Sequence, residues 1–143
     1  MTRLEAFKYQ SRVVAFIDVL GFKQLVNESD KSPLKRDKVA KLVETNRVLE
    51  QYAEKLLTSE LAAATFFSDS FVISAKCDNA IFLIREVVYL CRRLLVLGLP
   101  PCRGAITVGS LYHRERIAVG PALVAAYEME TSTAVYPRVI LDK

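Results

Sequence analysis

Two carboxylates stand out because of what surrounds them. Asp18 sits within Val13-Val14-Ala15-Phe16-Ile17-Asp18-Val19-Leu20-Gly21-Phe22, an otherwise apolar run that leads into a glycine. An acid there must meet a cation, a set of hydrogen-bond donors or water, because burying an unpaired carboxylate is costly. The arrangement recurs at Ala64-Thr65-Phe66-Phe67-Ser68-Asp69-Ser70-Phe71-Val72-Ile73-Ser74, where Ser68-Asp69-Ser70 lies between two β-rich runs and suits a tight hairpin turn. Two acids at strand ends can converge on one divalent cation or a pair of them, which makes a metal site for phosphate chemistry. The bland alternative is that Asp18 caps a local turn and Asp69 is an ordinary hairpin residue.

The elements that must position these acids follow from periodicity and punctuation. The run at 13–20 reads as a central strand buried on both faces, and Gly21 allows a close turn before a short helix at 22–27. Amides exposed after Asp18 would then face a triphosphate. A helix is expected over 37–57, with Val39, Leu42, Val43, Leu49, Ala53 and Leu56 on its core face, and the hairpin over 62–75. Asp78 is placed to cap a second long helix whose stripe is Ile81, Ile84, Val88, Cys91 and Leu95, ending at Gly98 and Pro100. A strand at 103–109, a polar turn at 112–116 holding His113, a short strand at 117–119, a helix opened by Gly120-Pro121 and running to about 130, and a last strand at 138–141 complete the chain. This order implies an α+β domain with helices covering a mainly antiparallel sheet.

Composition narrows the class without choosing a ligand. The 143 residues, 52% of them hydrophobic, suit a single domain spanning 1–143. A formal charge of +4 arises from 20 basic and 16 acidic side chains that are interspersed, so it fits a nucleotide as well as a polymer. No basic strand interleaved with aromatics and no recognition helix supports nucleic-acid binding. Cys77, Cys91 and Cys102 are odd in number and lack close pairing, and His113 is the sole histidine, so the spacing favours neither a disulfide framework nor a zinc site. Cys91 and Cys102 read as small hydrophobes, and His113 as a solvated loop residue. Nothing resembles a signal peptide or a membrane span, and a cytoplasmic protein is expected.

With the residues in place, Phe16-Ile17-Asp18-Val19-Leu20-Gly21-Phe22 resembles the first metal motif of class III nucleotidyl cyclases, Phe-x-Asp-Ile-x-Gly-Phe. In that family the second metal acid follows a glycine in a hairpin, and the matching segment is Phe67-Ser68-Asp69, with serine in place of glycine. Arg103-x-x-Ile106-x-x-Gly109 is similar to the family strand Arg-x-Gly-Ile-x-x-Gly, with Ala105 at the inner glycine. Beyond Gly120 the chain departs. Val124 and Glu128 occupy the slots of the ribose-orienting asparagine and the phosphate-binding arginine, while Thr65 and Ile117 stand where a purine-selecting lysine and aspartate would be. The run Gly120-Pro121-Ala122-Leu123-Val124-Ala125-Ala126-Tyr127-Glu128, with Tyr136-Pro137-Arg138-Val139, looks like the pyrimidine cyclases of bacterial antiphage defence (Pycsar). A diguanylate cyclase would need a Gly-Gly-Asp/Glu-Glu/Asp-Phe hairpin, which Phe67-Ser68-Asp69-Ser70-Phe71 lacks.

The resemblance implies a ferredoxin-like, palm-type class III cyclase fold and a homodimer with shared sites. It also implies conversion of a nucleoside triphosphate, CTP or UTP, to a 3′,5′-cyclic monophosphate and pyrophosphate, with cyclic CMP or cyclic UMP serving as an antiphage signal. Two Mg²⁺ or Mn²⁺ ions per site are implied, with Asp18 and Asp69 catalytic and the metal set Asp18, Val19 and Asp69. Substrate contacts are expected from Val19, Leu20, Gly21, Phe22, Thr65, Ile117 and Arg138, with Lys23, Arg103 and Arg116 as further cations. The competing expectation is a cyclase-like fold that binds nucleotide without turning it over. Because the chain ends soon after its last strand, a further C-terminal segment completing the site or the dimer is also expected.

Overall fold

The computed structural model describes residues 2–57, 62–66 and 69–143. Phe67 and Ser68 of the expected hairpin turn lie outside the described residues, as do the side chains of Leu49, Ala53 and Leu56 on the expected helix face.

The element order is α1 (Arg3–Ala6), β1 (Gln10–Val19), α2 (Phe22–Ser29), α3 (Pro33–Leu57), β2 (Ala62–Phe66), β3 (Ser70–Lys76), a 3₁₀ turn (Cys77–Asn79), α4 (Ala80–Val96), β4 (Cys102–Arg114), β5 (Ile117–Val119), α5 (Pro121–Ser132) and β6 (Val139–Leu141). The sheet runs β2-β3-β1-β4-β5, with β6 added to β4 in parallel and every other pairing antiparallel. The expected α+β sheet covered by helices is therefore present, as a mixed sheet.

β1 is its centre. It pairs with β3 from Arg12 opposite Lys76 to Asp18 opposite Ser70, and with β4 from Gln10 opposite Leu111 to Val19 opposite Cys102. Because successive side chains alternate between faces, Val13, Ala15, Ile17 and Val19 meet Phe71, Ile73, Leu83, Leu90 and Leu94 in the main core under α4. Val14 and its neighbours face α5, where Val72, Leu111 and Ala122 close a smaller core. Asp18 shares this second face. Gly104 permits the close approach of β4 to β1 at that end, since a Cβ there would lie 2.5 Å from both Ile17 Cδ1 and the Phe16 carbonyl oxygen.

Several expectations need correction. The α4 stripe is shifted: Leu83, Val87, Leu90 and Leu94 are buried, whereas Ile81, Ile84, Val88 and Leu95 are exposed. α4 is apolar around most of its circumference, so two stripes had equally good helical spacing and only the sheet chooses between them. Asp78 falls in the 3₁₀ turn, and Asn79 precedes the helix without a side-chain cap. On α3, which starts at Pro33, Leu42 and Thr45 are buried and Val43 is exposed. β4 runs on to Arg114, which makes His113 a strand residue. It is buried, its Nδ1 2.7 Å from Ser74 Oγ and its Nε2 2.7 Å from Thr65 Oγ1. Among the described residues, no helix is long and apolar enough to cross a membrane.

Candidate functional site

Asp18 is one residue from the end of β1, and Asp69 directly precedes β3. Antiparallel pairing sets Asp18 opposite Ser70, and the Val19 amide donates to the Asp69 carbonyl at 2.8 Å. The Ser70 hydroxyl lies 3.4 Å from an oxygen of Asp18 and 3.4 Å from an oxygen of Asp69. One hydroxyl proton cannot serve two carboxylates at once, so at least one of the two acids goes without it. Burial pushes the Asp18 carboxyl up to about 6, and the negative charges of Glu130 and Asp69 push the same way, against Arg103 and the Ser70 hydrogen bond.

Glu130 is the residue that the sequence reading missed. Its side chain is buried and its Oε1 accepts from Arg103 Nε at 2.6 Å. Ala122, Ala126 and Glu130 are the buried residues of α5, four apart, so the helix turns this acid toward the sheet face that also holds Asp18. The four-residue spacing from Ala122 and Ala126 is the one signal the sequence carries for it, and its pairing with Arg103, 27 positions away, is not written there. Arg103, considered above as a phosphate ligand, is already paired.

Beside the carboxylates is an apolar cavity of about 280 Å³ lined by Phe16, Val72, Leu123, Val124 and Tyr127. The rings of Phe16 and Tyr127 meet edge to face, with centroids 5.5 Å apart. Phe16 precedes Asp18 by two positions on the same face of β1, so cavity and acids are neighbours along one strand.

The turn after β1 is tighter than expected. Gly21 adopts φ 70°, a left-handed conformation natural to glycine, and leads directly into α2. The Val19 amide is taken by the Asp69 carbonyl and the Leu20 amide by the Pro101 carbonyl at 2.9 Å, so neither is open to a phosphate. The first-turn amides of α2, beginning at Phe22, are the ones left without intrahelical acceptors.

The remaining expected contacts do not gather here. Thr65 is buried on the α5 face of β2 with its hydroxyl against His113. Ile117 pairs with Arg114 and is 59% exposed, while the following Ala118 is the β5 residue that packs on the α5 side. Thr65 and Ile117 therefore do not line one pocket within a single chain. Arg138 is exposed: its Nη2 donates to the Thr133 carbonyl at 3.2 Å and its guanidinium carbon lies 5.9 Å from the centroid of the Tyr136 ring. Arg116 pairs with Glu50 at 3.4 Å. Val124 and Glu128 are both exposed on α5.

No protein-family model matches this sequence, and neither does any curated protein. Solved structures do. One, of a bacterial light-regulated adenylyl cyclase, superposes with a TM-score of 0.64 at 14% identity over 93% of this chain and 43% of that one. A second, also of a bacterial light-regulated adenylyl cyclase, gives a TM-score of 0.59 at 16% identity over 95% of this chain and 44% of the other. The fold is a cyclase fold. This chain spans less than half the length of either cyclase. At such identity the likeness concerns architecture, and the side chains must argue the chemistry themselves.

Proposed function

We propose that this chain is a nucleotidyl cyclase domain that converts a nucleoside triphosphate, CTP or UTP, into its 3′,5′-cyclic monophosphate and pyrophosphate. The observation that carries this reading is the convergence of Asp18 and Asp69 on the Ser70 hydroxyl at the end of the central strand. The donor set suits Mg²⁺ or Mn²⁺: two carboxylates with a backbone carbonyl at Val19 are hard oxygen ligands, and the Asp18 carboxyl, raised by burial and then by the charges of Glu130 and Asp69, would gain from a cation. Among the described residues there is no group of three or more acidic, histidine or cysteine side chains able to hold a metal. Phosphate oxygens of the substrate would then complete the coordination, as is usual for magnesium held by one or two carboxylates. Such ions, when bound, lower the pKa of an attacking hydroxyl and neutralise charge on the phosphates.

The chain's own residues do the positioning. Ser70 holds the two acids in register, the α2 amides offer aligned dipoles to a phosphate, and the Glu130–Arg103 pair fixes the charge behind Asp18. The open cavity at Phe16 and Tyr127 offers an apolar surface beside β1. The pyrimidine preference is supported by the absence of the purine-reading lysine and aspartate from positions 65 and 117. A homodimer with shared sites is supported by the exposed apolar side chains Val124 and Tyr127 on α5 and Ile117 and Val119 on β5. A role as an antiphage signal rests on the motif resemblance alone.

A second reading has its own observation. Glu128 places a carboxylate on the exposed side of α5 where a cyclase of the resembled family places a phosphate-binding cation. That favours a nucleotide-binding sensor without turnover. Incubating the protein with each of ATP, GTP, CTP and UTP and Mn²⁺, with mass-spectrometric identification of products, decides between them. Cyclic CMP or cyclic UMP supports the cyclase; binding without product supports the sensor; efficient turnover of ATP alone refutes the pyrimidine preference.

A further inference from the structure

Two of the three cysteines meet in space. Cys91, in the last turns of α4, and Cys102, the first residue of β4, have their sulfurs 2.9 Å apart. That is well inside the roughly 3.5–4.0 Å at which uncharged heavy atoms normally rest, and within about 1 Å of a covalent sulfur–sulfur bond. The elements that carry them are fixed. The link between them returns its backbone to the helix, with Leu97, Gly98 and Leu99 donating to the carbonyls of Arg93, Leu95 and Leu94. On the strand side Cys102 sits opposite Val19, and Pro101 accepts from Leu20. Cys91 is half-buried and open to a small molecule, whereas Cys102 is 7% exposed. Cys77, the third thiol, is exposed and lies by Ser11, with sulfur and hydroxyl oxygen 3.6 Å apart.

We infer that Cys91 and Cys102 form a dithiol redox site that a small-molecule disulfide closes into a reversible intrachain bond. The two thiols are unequal. The hydrogen bond with Cys102 draws the Cys91 thiol below its ordinary range, while the same contact and burial push Cys102 up, which makes Cys91 the attacking sulfur. Its thiolate attacks one sulfur of the oxidant R–S–S–R, forms Cys91–S–S–R and releases RS⁻. Cys102 then loses its proton to solvent and its sulfur attacks the Cys91 sulfur, expelling the second RS⁻. The protein gives up two protons and two electrons, and the oxidant leaves as two thiols. In a reducing compartment such a bond is transient, so the site is redox-responsive and not a permanent staple. Its location gives it a mechanical consequence: the bond ties α4 to the strand whose next residue, Arg103, lies opposite Asp18.

The test uses the intact protein, fully reduced and then exposed to oxidised glutathione. The expected product has lost about 2 Da by intact mass. Alkylation then finds Cys77 reactive and the other two masked, and trypsin releases peptides 86–92 and 94–103 joined by a bond that dithiothreitol cleaves. The melting temperature of the oxidised form rises by about 5 °C, as expected for a short closed loop. Cys102→Ala, unable to resolve the intermediate, accumulates a glutathione adduct on Cys91 of about 305 Da, and Cys77→Ser oxidises as the parent does. Modification confined to Cys77, or free Cys91 and Cys102 after full exposure to the oxidant, overturns the inference.

Discussion

Asp18 carries a cost in the folded protein that its proposed role explains. Its carboxyl is raised to about 6 from an ordinary 3.8, chiefly by burial, so the native state holds that proton over a range in which the unfolded chain has released it. Stability from this group is therefore highest below pH 3.8, declines as pH rises toward 6, and stays reduced above that. Asp18→Asn should be more stable than the parent above pH 6, with the difference vanishing in acid; solvent screening of this half-exposed group brings the gain to about 1 kcal/mol. The same variant, and Asp69→Asn, should lose cyclic-nucleotide formation by about 10³-fold or more, since each removes one of two groups acting on the same charge. Product assays beside urea titrations at pH 4 and pH 7 check both halves. His113 has the opposite sign. Burial, helped by the Arg12 charge, holds it near 4 against 6.5, so its contribution is complete above pH 6.5 and is lost as pH falls toward 4, by about 3 kcal/mol. Arg12 Nε donates to Ser74 Oγ at 3.0 Å, and the same hydroxyl lies 2.7 Å from His113 Nδ1, which sets the Arg12 charge beside the imidazole. Because the Asp18 and His113 slopes overlap and oppose, the informative measurement is the difference between the parent and His113→Gln across pH 4–7, which should approach zero at the acid end.

At the scale of elements, α4 provides the sharpest contrast. Leu90 is wholly buried against the sheet and Ile84 is 40% exposed, although both are large aliphatics in the same helix. Leu90→Ala should cost about 2–5 kcal/mol, while Ile84→Ala should cost well under 1 kcal/mol, as denaturant midpoints at constant slope would report. The sequence reading did not make this distinction, since large aliphatic residues recur at helical spacing both at 81, 84, 88 and 95 and at 83, 87, 90 and 94. Where a pattern was asymmetric it was readable: the continuous run through β1, the Gly21 break and the Gly120-Pro121 helix start all stand where their chemistry put them. Asp18 and Asp69 were legible as a pair because lone acids in apolar runs are conspicuous. Glu130, His113 and the Cys91–Cys102 contact were not, because each takes its meaning from a partner at least 11 positions away in the chain. Strand length mattered as well. β4 continues past the end of β1 and carries His113 across to Ser74 and Thr65, a reach that depends on register and not on local composition.

For the whole molecule the decisive property is coupling between cation, nucleotide and fold. A site with two carboxylates, and no group of three or more acidic, histidine or cysteine side chains able to hold a metal among the described residues, should hold divalent cation weakly by itself and better when phosphate oxygens complete the shell. Ligands that bind only the native state stabilise it by mass action, about 2.7 kcal/mol at a hundredfold excess over Kd. Mn²⁺ alone should therefore shift the melting temperature little, CTP alone little, and the two together by several degrees, with Asp69→Asn showing no joint effect. Asp18→Asn should start from a higher melting temperature at neutral pH and also gain nothing from the pair, which separates loss of ligand from loss of fold. Equal shifts from Mn²⁺ with and without nucleotide would mean that the acids form a self-sufficient metal site. A joint shift that persists in both variants would place the triphosphate elsewhere on the molecule and remove the basis for a cyclase centred on Asp18 and Asp69.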